Sequence, residues 1–278
     1  MGGLTNSWAI AKASWKVLTE EKGLVIFPVL SAVFTVLAFA AFVVPAAVVW
    51  GLIGAASNSK QSGDPIGVAL LFVFYLVMSF VTLFFNTAMV GIALERLRGR
   101  DPRVGDGFRV AFDNVVSIFL FAIVSATVGV ILRVIEDKFD WVGEIVSSIL
   151  GAAWAVVTFL VVPVMVVERQ GPVASIRRSA ELLRQTWGAQ LAGNLGIGFL
   201  VFLMALLGLI PIALGYVSHS PAGLIVGIAI AVIYWGLVAV IASALGQIYR
   251  AAVYLYASSS VVPPQFDGWM IQRAFRPR

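Results

Sequence analysis

Six apolar runs, each long enough to cross a hydrocarbon core about 30 Å thick, leave this chain few choices of fold. They lie near Leu24–Ile53, Ile66–Leu94, Val115–Ile135, Ile145–Val167, Leu191–Val217 and Ala222–Tyr256. A helix is the only open-ended segment that satisfies its own backbone groups in lipid. Strands of a membrane barrel would instead be about 10 residues of alternating polarity, a pattern absent here. The expected fold is therefore all-α, a polytopic membrane protein with six transmembrane helices. Composition agrees, with 12% charged residues against about 25% in an average soluble domain. The first, second and last runs exceed the minimum, so tilt or extension beyond the bilayer is expected.

The basic residues give an orientation. Lys12, Lys16 and Lys22, then Arg96, Arg98, Arg100, Arg103 and Arg109, fall on one side of the alternating spans. Arg169, Arg177, Arg178 and Arg184, then Arg250, Arg273, Arg276 and Arg278, fall on the same side. Only Lys60, Arg133 and Lys138 of the 19 basic residues lie opposite, among the acids Asp64, Glu136, Asp137, Asp140 and Glu144. The positive-inside rule then expects both termini in the cytoplasm. The first run is longer than the apolar core of a signal peptide, about 7–15 residues, and is expected to remain as an anchor. Gly63-Asp64-Pro65 and Ser218-His219-Ser220-Pro221 are turn chemistry between the helices of outward hairpins.

Each inner segment carries a helical stripe ahead of a two-span hairpin. Trp8, Ala11, Trp15 and Leu18 recur at helical spacing, with Lys12 and Lys16 off the stripe. Phe108, Phe112 and Val115 repeat the device in a shorter piece, with Arg109 and Asp113 outside it. Ile176, Ala180, Leu183 and Trp187 do so again, opposed by Arg177, Arg178, Glu181 and Arg184. Ser7 through Trp15 lies over Ser179 through Trp187 without a gap, and Glu95-Arg96 before Pro102 matches Glu168-Arg169 before Pro172. The expected organisation is one integral membrane domain of three pseudo-repeated hairpins, each preceded by a cytoplasmic interfacial amphipathic helix. The repeats run over about 5–98, 102–170 and 172–257, with a polar tail from 258 to 278. A basic helix with Trp on its apolar stripe suits the headgroup plane, cations toward anionic lipid and indoles at the interface. The plainer reading is that these helices only brace the bundle.

The stretch from Glu168 to Trp187, with Gly171-Pro172, Arg177-Arg178-Ser179, Glu181-Leu182 and Trp187, resembles a motif of prokaryotic six-span membrane proteins. That group includes the membrane domain of some glycerophosphodiester phosphodiesterases. The opening, Ser7-Trp8 through Phe27-Pro28, is similar to an uncharacterised family of the same kind. In those phosphodiesterases a separate soluble domain does the catalysis, so the resemblance implies an architecture in a prokaryotic inner membrane and no activity.

Catalytic chemistry is sparse. No cysteine is present and His219 is the only histidine, which leaves no thiolate or paired-imidazole metal site. The acids around Glu136–Glu144 read as a solvated loop. No P-loop, dinucleotide fingerprint or His-Glu-x-x-His occurs, and Gly193–Gly198 reads as close helix packing. Asn86, Gln247 and Arg250 are the polar groups inside spans, where such groups are costly and often functional. A substrate path would recruit them; interhelical hydrogen bonding and snorkelling are the alternative. Pro45, Pro163 and Pro211 are expected to bend one span in each hairpin. Glu95 and Glu168 hold equivalent repeat positions and would matter to an enzyme only if clustered with Arg250.

The sequence thus points to a non-enzymatic, lipid-organising or scaffold protein of the cytoplasmic membrane, without catalytic residues, metal or cofactor. Its headgroup candidates are Lys12, Lys16, Arg109, Arg177, Arg178, Arg184, Trp8, Trp15 and Trp187. The partners expected are anionic membrane lipids and a second copy or another protein, and no nucleic acid. A transporter or channel for a small or amphipathic solute is the alternative.

Overall fold

The computed structural model describes residues 14, 15, 18, 22–54 and 65–259. These residues are helical throughout apart from short connections. After a 3₁₀ turn at Lys22–Val25 come α1 (Ile26–Gly54), α2 (Pro65–Leu97), α3 (Val104–Asp113), α4 (Val115–Lys138) and α5 (Asp140–Val157). Then follow α6 (Val161–Glu168), α7 (Pro172–Leu207), α8 (Leu209–Val217) and α9 (Pro221–Ser259). Prolines open α2, α7 and α9, where the missing N–H falls on a position with no intrahelical partner and the fixed φ suits a first turn.

Among the described residues, five stretches are long and apolar enough to cross a membrane: Gly23–Pro45, Gly67–Leu97, Val115–Lys138, Trp141–Glu168 and Pro221–Ser259. Their exposed surfaces are greasy, with Val36 66%, Leu37 59%, Ile225 68% and Ile233 66% accessible. Water would disfavour such continuous patches and lipid accommodates them, as expected of a multi-pass membrane protein.

The expected fifth span, Leu191–Val217, is not one unbroken helix. It falls on α7 and α8, which are interrupted at Gly208, and only Val201–Val217 stands as a shorter apolar stretch. The expected fourth span is also divided, with α5 ending at Val157 and α6 starting at Val161. The physical reason is the same at both places. Pro163 and Pro211 are each the third residue of the helix after the break, and a proline ring clashes with the carbonyl four residues back. Pro45, by contrast, lies inside α1. The basic segment ahead of the fifth span is not a separate helix either, because α7 runs continuously for 36 residues from Pro172. The last helix runs through Ser259, so Ser258 belongs to it rather than to a tail.

The chain divides into two compact units. One contains the segments up to Val29, Ile92–Val104 and Leu182 onward; the other contains Leu30–Gly91 and Gly105–Glu181. In the first, α8 packs along α9 as a hairpin of unusually close approach. A methyl group added at Gly215 would collide with the Gly223 carbonyl, one at Gly227 with the Pro211 carbonyl, and one at Gly208 with the Trp235 indole. Glycine is required at 215 and 227 because backbone meets backbone, and at 208 because the indole lies against the Cα. The core of this unit includes Leu24, Phe27, Ile92, Leu182, Ile248 and Tyr254, each at most 2% exposed.

In the second unit α4 packs on α5, and a run of aromatic edges ties α1 to α4. Phe34 meets Phe85 at 5.5 Å, Phe84 meets Phe112 at 5.1 Å and Phe80 meets Phe119 at 6.1 Å between ring centroids. Such tilted and edge-on pairs add to their burial by up to about 1 kcal/mol each.

Candidate functional site

An interrupted helix in lipid strands carbonyls that water cannot reach, so each break in this chain asks what satisfies it. At the α5–α6 break, Thr158 donates from Oγ1 to the Trp154 carbonyl at 2.7 Å. Ser179 of α7, wholly buried, then donates its hydroxyl to the Val157 carbonyl at 2.6 Å and accepts the Leu160 N–H at 3.1 Å. One hydroxyl thereby bridges both sides of the break. At Gly208 the donors come from α9: Tyr234 Oη to the Met204 carbonyl and Trp235 Nε1 to the Ala205 carbonyl, both at 2.9 Å. At the α3–α4 joint, Asn114 donates its own side-chain amide to the Val110 carbonyl at 2.8 Å.

The α6–α7 corner holds the charged groups. α6 ends at Glu168, Arg169 turns the chain in the left-handed region with φ 50°, and Pro172 opens α7. The Glu168 carboxylate accepts from Arg178 Nε at 3.2 Å and from Gln170 Nε2 at 3.1 Å. Arg178 also reaches Glu181 at 3.5 Å. The hydrogen bond it donates to Glu168 raises the Arg178 guanidinium pKa above its ordinary value, against a lowering by burial. Arg178 is thus neutralised within its own corner. At the α2 exit the corresponding acid, Glu95, pairs with Arg100 at 2.6 Å and Arg98 at 3.6 Å, while Arg96 pairs with Asp101 at 3.1 Å. Gly99 supplies the left-handed turn with φ 82°. Both acids named above are therefore occupied by arginines of their own corners.

The remaining headgroup candidates separate by exposure. Arg109, Arg177 and Arg184 are exposed and make no ion pair among the described residues. Trp15 is 46% exposed. Trp8, Lys12, Lys16 and the Trp187 side chain lie outside the described residues. The stripes are rotated from their expected faces. In α7 the buried line is Pro172, Ser175, Ser179, Leu182 and Leu183, with Ile176 and Ala180 only half-buried. In α3 it is Gly107 and Ala111, while Phe108 is half-buried and Phe112 is 62% exposed. Small and hydrogen-bonded residues share these buried lines, beside Leu182 and Leu183 on α7, and let helices approach; Val110 of α3 fills the place a side chain would need at Gly91 of α2.

Among the intramembrane candidates, Asn86 and Arg250 are half-buried, and Asn86 falls in the other unit from Gln247 and Arg250. Gln247 is 4% exposed, and its Oε1 has no hydrogen-bond partner. A buried amide left unpaired costs about 1–3 kcal/mol. The Thr87 and Thr127 hydroxyls, in contrast, bond back to the carbonyls four residues earlier. On the opposite connection, Arg133 pairs with Glu136 at 3.4 Å and Asp137 at 3.3 Å, and His219 forms a left-handed turn residue. Among the described residues no three of His, Asp or Glu lie where they would share a metal ion.

Sequence reasoning missed Ser179, Tyr234 and Trp235. The signal for the breaks was present: Thr158 and Gly208 lie five and three residues ahead of Pro163 and Pro211. No curated protein and no solved structure matches the chain. The likeness to phosphodiesterase membrane domains therefore finds no support among known proteins. A family model does match over residues 65–262, most of the 278 residues, from the start of α2 to just past α9, and on that match the chain belongs to DUF6159, a family of unknown function.

Proposed function

We propose that this protein is a non-enzymatic, six-span protein of a prokaryotic cytoplasmic membrane that organises anionic lipid at the surface carrying its basic connections. The six spans form three pseudo-repeated hairpins, α7 and α8 together supplying the fifth crossing, with both termini in the cytoplasm. One observation carries the reading. Two connections each expose an unpaired arginine beside an apolar side chain on the same helical face. These are Arg109 next to Phe112, 62% exposed, and Arg177 one turn beyond Val173, 75% exposed. An exposed cation over an exposed apolar group suits the boundary between headgroups and acyl chains. The repeat is supported by similar exits: a Glu-Arg pair, a left-handed residue at Gly99 or at Arg169 itself, and a proline at or just before the next helix.

Each basic residue near an anionic surface contributes about 1 kcal/mol, so three contribute on the order of 100-fold in lipid affinity. Native mass spectrometry from mild detergent is expected to show the wild type carrying anionic lipid. Arg109→Gln/Arg177→Gln/Arg184→Gln is expected to lose most of it while keeping the oligomeric state. Unchanged retention in that variant would overturn the lipid reading. Arg178 is left out because its charge is already paired.

A second reading, a transporter or channel for a small or amphipathic solute, draws on the broken helices beside Pro163 and Pro211. Interrupted spans are frequent around transported ligands. Here side chains of neighbouring helices occupy the exposed carbonyls at both breaks, which favours the first reading.

A further inference from the structure

One turn of α7 carries both the exposed cation and the hydroxyl that mends the α5–α6 break. Residues two apart in a helix point about 200° apart, nearly to opposite sides. Arg177 is exposed, with Val173 one turn before it on the same side. Ser179 is wholly buried, with Ser175 one turn before it on the opposite side. There Ser179 accepts the Leu160 N–H at 3.1 Å and donates to the Val157 carbonyl at 2.6 Å. All these residues belong to one compact unit. A single turn of helix therefore stands between the proposed lipid surface and the backbone groups of the break.

The turn follows a corner built to pivot. Arg169 is left-handed, and Gly171 is exposed with nothing within 4 Å of a Cβ added to it. Ties across the corner include Arg178 and Gln170 to Glu168, and Ser175 Oγ to the Gln170 carbonyl. Lifting Ser179 by about 1 Å takes both of its bonds out of range. A ligand shifts such an opening only through its different affinity for the two states. The seated turn fixes Arg177 and Val173, the latter 75% exposed, on one outward face. Headgroup and acyl chain are then met together. A lifted turn rolls, and one of the two contacts is lost.

We infer that anionic phospholipid at Arg177 latches Ser179 into the α5–α6 break, and that the break opens where anionic lipid is scarce. This regulation presupposes the lipid surface proposed above and adds what its occupancy does. One basic residue near an anionic surface shifts an equilibrium about five-fold.

Amide hydrogen exchange of the full chain in nanodiscs, read over Thr158–Val161, measures the opening, because the Leu160 N–H is released when Ser179 withdraws. Phosphatidylglycerol added to phosphatidylcholine is expected to slow exchange there about five-fold. Exchange at Gly208 is expected to stay the same, since Tyr234 and Trp235 of α9 close that break. Arg177→Gln is expected to remove the slowing and Arg177→Lys to keep it. Ser179→Ala is expected to exchange fast in both membranes. Equal exchange of the wild type in the two membranes, or faster exchange with phosphatidylglycerol, would overturn the inference. So would equal slowing at Gly208, a folded Ser179→Ala that keeps the lipid dependence, or a wild type whose break exchanges in neither membrane. Should Ser179→Ala fail to fold, the two Arg177 variants decide. Anionic lipid retained in native mass spectrometry, beside exchange that ignores lipid, would remove this regulation and leave the lipid surface standing. Loss of both removes the surface reading itself.

Discussion

Ser179→Ala is expected to destabilise the folded chain by about 2 kcal/mol. The hydroxyl serves two backbone groups at once, the Val157 carbonyl and the Leu160 N–H. Leu160 is fully buried and Val157 half-buried, so at least the Leu160 N–H does not recover its bond from solvent. Each buried group left unpaired costs roughly 1–3 kcal/mol, and measured interhelical bonds in membrane bundles sit lower, averaging about 0.6. The sum falls near 2, or about 4–8 °C in the temperature at which detergent-solubilised protein stops being monodisperse. Ser147→Ala is the control, since its hydroxyl bonds to the Glu144 carbonyl at an exposed site. Equal thermal profiles for the two variants would contradict the bridging role of Ser179.

Gly227→Val has the larger expected effect. Its new Cβ would run into the Pro211 carbonyl, which is backbone and lacks a flexible end that swings aside. The α8–α9 hairpin would have to separate, losing the neighbouring contact between Gly215 and Gly223 as well. Overpacking of this kind costs about 3 kcal/mol or more, enough to remove most of a typical margin of stability. Gly236→Val lies on the same helix with no atom within 4 Å of its new Cβ. It is expected to stay within about 0.5 kcal/mol of wild type. Yield and monodispersity of the two variants, measured side by side, check the contrast; a tolerated valine at position 227 would mean the hairpin is looser than described.

What was legible in the sequence was whatever depends on bulk hydropathy. The apolar runs mark α1, α2, α4 and α9 to within a few residues, because lipid demands long continuous helices and proline and glycine punctuate their ends. The pair Arg133 and Glu136 was readable from helical spacing alone. Two kinds of feature escaped. The helix breaks are decided by a proline acting on the preceding turn, and their repair by Ser179, Tyr234 and Trp235 comes from residues 19–30 positions away. Stripe reading also missed much of the buried line on α3 and α7, because it weights large apolar residues; of the expected α7 stripe Leu183 is buried and Ile176 and Ala180 are half-buried. Burial there goes to Gly107, Ala111, Ser175 and Ser179, whose small size or satisfied hydroxyl allows close contact, and Phe112 is left facing outward. The same small size hides such residues from any hydropathy pattern.

The chain has no native cysteine, so single cysteines report sidedness directly. Gly105→Cys and Gly171→Cys lie in the two arginine-bearing connections, exposed and with open space around them. Lys138→Cys and Ser220→Cys lie in the opposite turns and are exposed. Labelling with a membrane-impermeant maleimide in intact cells and in lysed cells measures which surface each residue faces. Six crossings with the basic connections inside predict that positions 138 and 220 react in intact cells and positions 105 and 171 only after lysis. Labelling of 105 and 171 from opposite sides would contradict the central claim that both arginine faces meet the same lipid surface.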